Sequence, residues 1–160
     1  MIVTVAHLLV RAEDVTAYMN GRQPEKAVVA AVDLERDLAI LRLTPSGVPD
    51  VEVTTVGTGT QGHIVGGAAS GTVSFEVTRV VDLTIEEILG TERHNRLGYE
   101  LQTFTGDGDS GAGAYDEANR LIGIVFATGP NDETTWLTAS SEIVDFLDSV
   151  GTTDIYELCL

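Results

Sequence analysis

The sequence predicts an all-β fold, a barrel or sandwich built from many short strands. Three observations carry this. Short runs of β-branched and aromatic residues recur along most of the 160 residues. The links between them are rich in glycine, of which the chain has 17. Only two stretches have a helical pattern.

The elements follow in order. Ile2-Val3-Thr4-Val5 reads as a strand that runs into His7. Val15-Thr16-Ala17-Tyr18-Met19 alternates and stops at Asn20-Gly21, a turn signal. Residues 27–32 and 39–43 are continuous apolar runs of the buried type, the second closed by Pro45-Ser46-Gly47. Residues 51–56 and 73–81 read as further strands, and others are expected at 99–104, 113–115, 121–127 and 135–138. Thr84 and Glu87 form a capping box that predicts a helix over 84–89, stopped by Gly90. A second helix is predicted near the C-terminus: Ile143, Phe146, Leu147 and Val150 share one helical face, and Ser141 is its N-cap. The proline-bearing stretch 44–50 separates an N-terminal unit, 1–47, from a C-terminal unit, 48–160.

Composition excludes several classes of function. At 43% hydrophobic residues, the chain is globular. No run approaches 18 apolar residues, so no membrane-crossing helix is expected, and no basic signal-peptide start precedes the first strand. Asp and Glu number 25 against 9 Lys and Arg, a formal charge of -16, and Lys26 is the one lysine. Such a surface repels nucleic acid and anionic membranes. It keeps the protein soluble, and it would also suit high salt, in which case low salt should unfold the chain. Cys159 is the single cysteine, so no internal disulfide is expected. His63 and His94 lack ligand spacing, so no metal is expected. Gly57-Thr58-Gly59 and Gly66-Gly67 open no helix, so no nucleotide cofactor is expected either.

Three segments bear chemistry: Thr4-Val5-Ala6-His7, Asp37-Leu38-Ala39-Ile40-Leu41-Arg42-Leu43 and Gly106-Asp107-Gly108-Asp109-Ser110-Gly111. A serine hydroxyl is a weak nucleophile at neutral pH. It needs a base, and the base needs a carboxylate that fixes its tautomer. His7, Asp37 and Ser110 can fill these roles, in the chain order His, Asp, Ser. Gly108 permits a turn that aims its own N–H and that of Ser110 at one point, an oxyanion hole.

On these residues the chain resembles the chymotrypsin/trypsin-like serine peptidases, of the disulfide-free bacterial or viral type. The histidine segment is similar to the family's Thr-Ala-Ala-His. The aspartate segment is similar to its Asp-Ile-Ala-Leu-Leu-Arg-Leu, and Gly108-Asp109-Ser110-Gly111 to its Gly-Asp-Ser-Gly. Leu121-Ile122-Gly123-Ile124-Val125 resembles the strand after the nucleophile. The resemblance implies two Greek-key β-barrels with a C-terminal helix. It also implies a peptide or protein substrate cleaved through an acyl-enzyme. Phe126, Ala127 and Thr128 would pair with the substrate backbone. Phe104 and Thr105 would line the primary specificity pocket, with Phe104 near its floor. Trypsins carry an aspartate at that floor, so small or apolar residues are the expected preference here.

The chain also departs from the family. Ala112 and Gly113 follow the Gly-Asp-Ser-Gly segment, and Leu8 stands where secreted members have cysteine. No freed N-terminus is evident to pair with Asp109, which must be held in another way. His7 comes so early that the first barrel would keep about four of six strands, to be completed by an upstream segment or a partner chain. The alternative reading is a non-catalytic or self-processing module acting in binding or assembly.

Overall fold

Strand pairing divides the polypeptide into an open four-stranded sheet and a closed six-stranded barrel. The computed structural model describes residues 1–18, 23–43, 50–66, 71–86, 90–129 and 133–151. The expected boundary at 44–50, apart from Asp50, and the Asn20-Gly21 turn and Cys159 lie outside them.

The sheet has the order β1-β4-β3-β2. Its strands are β1 (Ile2–Thr4), β2 (Val15–Ala17), β3 (Glu25–Asp33) and β4 (Leu38–Leu43). A 3-10 turn, Ala6–Leu9, follows β1. All pairings are antiparallel, and β1 runs against β4 with Thr4 opposite Ala39. Among the described residues β1 and β2 are the outer strands of the sheet, so this half is an open sheet and not a closed barrel.

The barrel closes in the order β10-β7-β6-β5-β8-β9. Its strands are β5 (Gln61–Val65), β6 (Thr72–Glu86), β7 (Arg93–Gln102), β8 (Gly113–Asp116), β9 (Leu121–Thr128) and β10 (Thr134–Ala139). Alternation along the strands sends Ile64, Val77, Tyr99, Leu101 and Leu137 inward, and the register shifts of β9 let both Ile122 and Val125 join them in the barrel core.

β10 leads directly into α1 (Ser140–Gly151). The expected apolar face is the buried one. Ile143 and Phe146 pack with Leu38 and Ile40 of the sheet, Val5 just after β1, and Ile124 of the barrel, with Leu147 and Val150 at the margin. Each buried side chain of this kind stabilises by about 1.5–3 kcal/mol. The helix thus clamps the two halves together.

Two expectations fail. No helix starts at Thr84. β6 runs through Glu86, paired with β7 as far as Glu86 opposite Arg93, and the Thr84 hydroxyl bonds Asn95 Oδ1 across the ladder. Leu83 and Ile85 keep the strand alternation, and that cross-strand ladder outweighs the local capping signal; residues 87–89 lie outside the described ones. Residues 51–56 form no strand. Val53 makes one parallel bridge, to Leu121, with Thr54 N–H and Leu121 N–H donating across it at 2.9 and 2.7 Å. The bridge forms where β10 gives way to α1 and releases the edge of β9, and Ser140 Oγ seals it by donating to Thr54 O at 2.7 Å. β5 and the first half of β7 are strands the sequence reading did not include.

Candidate active site

β1 pairs with β4, and this alone brings His7 beside Asp37. The Ala6 N–H donates to Asp37 O at 3.1 Å and the His7 N–H to Asp37 Oδ1 at 2.9 Å. His7 Nδ1 then lies 2.7 Å from Asp37 Oδ2. Asp37 closes the β3–β4 turn at φ 54°, a left-handed conformation that Asp tolerates better than most residues. It is 5% exposed, while His7 keeps one side open to solvent. The turn is tied down by residues the sequence reading missed. Arg36 N–H donates to Asp33 Oδ1 at 2.9 Å, and the Arg36 guanidinium pairs with Asp33 at 2.7 Å and with Glu142 of α1 at 2.9 Å.

Ser110 lies in the loop between β7 and β8. Gly108 has φ 94° and Gly111 φ 86°, both in the left-handed region that favours glycine. Asp109 is 1% exposed, and its Oδ2 accepts the Gly106 N–H at 2.9 Å. This carboxylate is thus held by its own loop. The Gly111 N–H donates to Val125 O at 2.8 Å, which anchors the loop to β9. Gly111 also sets it against the histidine segment: a Cβ there would lie 2.4 Å from Thr4 Oγ1 and 3.8 Å from Leu8 Cδ1. Thr4 and Leu8 flank His7 in sequence, so the serine loop and the His7 turn are in contact. Among the described residues, Ser110 Oγ forms no hydrogen bond with His7, and the Gly108 and Ser110 N–H groups have no acceptor.

The model of the trypsin-like peptidase domain matches residues 1–124. The chain belongs to the trypsin-like peptidases. It is a serine peptidase of that family, and its half-open first barrel is a partial form of the family's two-barrel fold. The Rv3671c protease from M. tuberculosis in its active form superposes with a TM-score of 0.86 at 25% identity, over 96% of this chain and 70% of that one. The MamO protease domain from Magnetospirillum magneticum gives 0.72 at 18%, over 90% and 80%. The HtrA-type protease AlgW with a tripeptide gives 0.77 at 18%, over 92% and 51%. A comparison with curated sequences finds no match.

Within the peptidase, the expected pocket residues separate. Phe104 is 51% exposed and does not form a buried floor; the buried neighbour is Thr105, at 1%. Both residues lie past the end of β7, where the chain enters the loop that carries Ser110, and Thr105 is the one turned in toward β9 and β10. Thr105 Oγ1 lies 2.9 Å from Thr135 Oγ1 and 3.3 Å from Thr128 Oγ1, and Thr128 Oγ1 donates to Thr105 O at 3.0 Å. Thr135 was not singled out in the sequence, because a strand threonine has no local mark of such a role. Phe126 and Ala127 are half-buried on β9 and Thr128 is exposed at its end. Among the described residues no cluster of His, Cys, Asp and Glu could hold a metal ion.

Proposed function

We propose that the peptidase cleaves peptide bonds through an acyl-enzyme, with His7, Asp37 and Ser110 as its triad. Ser110 Oγ attacks the scissile carbonyl while His7 Nε2 takes its proton. The oxyanion accepts N–H bonds from Gly108 and Ser110. His7 returns the proton to the leaving amine, and water then attacks the ester by the same route. The observation that carries this reading is the 2.7 Å contact of His7 Nδ1 with Asp37 Oδ2, which orients the imidazole and leaves Nε2 free to act as base. The Gly108 and Ser110 amides, which have no acceptor among the described residues, support the assigned oxyanion hole. In an unliganded site the Ser–His bond commonly tightens only with substrate.

Substrate would lie along Phe126, Ala127 and Thr128, with its side chain between Phe104 and Thr105. The free edges of β1 and β2 favour completion of the sheet by a further segment or a partner chain. That same open sheet favours the second reading, a binding or self-processing module. A fluorophosphonate probe separates the two. Labelling that vanishes in Ser110→Ala supports the live enzyme, and absence of labelling in folded protein supports the module.

A further inference from the structure

β7 turns Leu97, Tyr99 and Leu101 toward the barrel core, so Arg96 leaves the strand on the opposite side. It is 2% exposed. Its Nη1 donates to the carbonyl oxygen of Arg36, which belongs to the peptide group leading into Asp37. Its guanidinium sits 4.1 Å from the centre of the Phe126 ring. Nε and Nη2 have no hydrogen-bond partner among the described residues. Burial pushes the guanidinium down to about 10, against the attraction of Asp37 first, then Glu142 and Asp33.

A buried cation with two unpaired donors is costly, and an apolar side chain of similar length would fill the same space at lower cost. Two things here require an arginine. One is a donor that fixes the 36–37 peptide plane, on which the φ of 54° at Asp37 depends. The other is positive charge behind the Asp37 carboxylate, delivered on a flat group that can stack on Phe126. The arginine also comes from the barrel that carries Ser110, whereas Asp37 and His7 belong to the sheet.

We propose that Arg96 is a positioning residue for the His7–Asp37 pair. Seated on Phe126, it anchors the 36–37 peptide, balances the Asp37 charge and ties the sheet's two triad members to the barrel's serine. The inference rests on the triad reading above.

The test uses the full chain with Arg96→Met, Arg96→Gln and Arg96→Lys. Two quantities are read on folded protein: the rate of fluorophosphonate labelling at Ser110, and the low-field proton resonance of His7 Nδ1–H, which needs no turnover. In the methionine and glutamine variants labelling should slow by roughly 10- to 100-fold, the scale of a small misplacement of catalytic groups. The His7 resonance should broaden or vanish, and lysine should restore part of both. A folded methionine or glutamine variant with the wild-type resonance and rate overturns the proposal. If the methionine variant does not fold, the glutamine variant decides on the same readouts. If the wild type is never labelled yet the variants still lose the resonance, the catalytic reading fails and the positioning role stands.

Discussion

Gly111 lies so close to Thr4 that one added carbon, 2.4 Å from Thr4 Oγ1, would collide. This contact joins the Ser110 loop to the residues beside His7, and φ 86° at Gly111 adds a conformational demand of its own. Gly111→Ala should therefore cost stability and activity together. About 1–3 kcal/mol is expected from the backbone strain alone. Urea unfolding measures the loss and fluorophosphonate labelling the activity. A variant as stable as wild type would mean that the loop and the His7 turn do not depend on each other.

Asp37 allows the orienting role to be separated from folding. Asparagine tolerates the left-handed backbone at this position, and its Oδ1 still accepts the His7 N–H. Its amide nitrogen cannot accept from His7 Nδ1–H, so the imidazole is fixed in the wrong tautomer. Asp37→Asn is expected to fold with some loss of stability, because the buried Arg96 loses a balancing charge, and to lose on the order of 10^4-fold in labelling or turnover rate of the protein that remains folded. Thermal unfolding run beside the kinetics checks both halves. Retained activity would remove Asp37 from the mechanism.

Substrate preference follows from the residues around the expected pocket. Phe104, Thr105, Phe126, Ala127 and Thr128 supply rings, methyls and hydroxyls but no carboxylate. The Thr105 hydroxyl lies within hydrogen-bond distance of those of both Thr128 and Thr135. Peptides with alanine, valine or leucine before the scissile bond should be cut roughly tenfold or more faster than arginine peptides. The assay belongs at about 0.15 M salt, because the charge of -16 attracts basic peptides at long range in weaker salt. Faster turnover of arginine peptides would place an acidic group in the pocket.

The family was legible because each candidate triad residue falls in a short contiguous segment whose neighbours are constrained as well. His7 follows a strand, Asp37 precedes one, and Ser110 sits between glycines that the loop needs. The barrel was legible from alternation and glycine turns. What escaped depends on partners distant in sequence. Thr84 and Glu87 write a capping box, but Asn95 and Arg93 of β7 claim the segment for the ladder. Nothing near Arg96 marks it as buried against Arg36, 60 positions away. Phe104 and Thr105 lie in the loop just past β7, and the sequence carries no period there that tells which of them turns inward.

The β8–β9 turn links stability to acid. Asp116 Oδ1 accepts the N–H groups of Ala118 and Arg120 at 3.0 and 2.9 Å, and Oδ2 takes the Arg120 guanidinium at 2.9 and 2.7 Å. The backbone bond from Arg120, followed by its guanidinium, holds the Asp116 carboxyl below the usual carboxylate range. A carboxyl depressed in the folded state contributes stability that is present above its unfolded value, about 3.9, and lost as pH falls through the folded value. The wild type should thus be more stable than Asp116→Asn at neutral pH, and the two melting temperatures should converge as the medium is acidified below about pH 4. Calorimetric scans of both proteins from neutral to acid pH measure this. A gap that stays constant with pH would show that the turn is held by its backbone bonds, with no net contribution from the charge on Asp116.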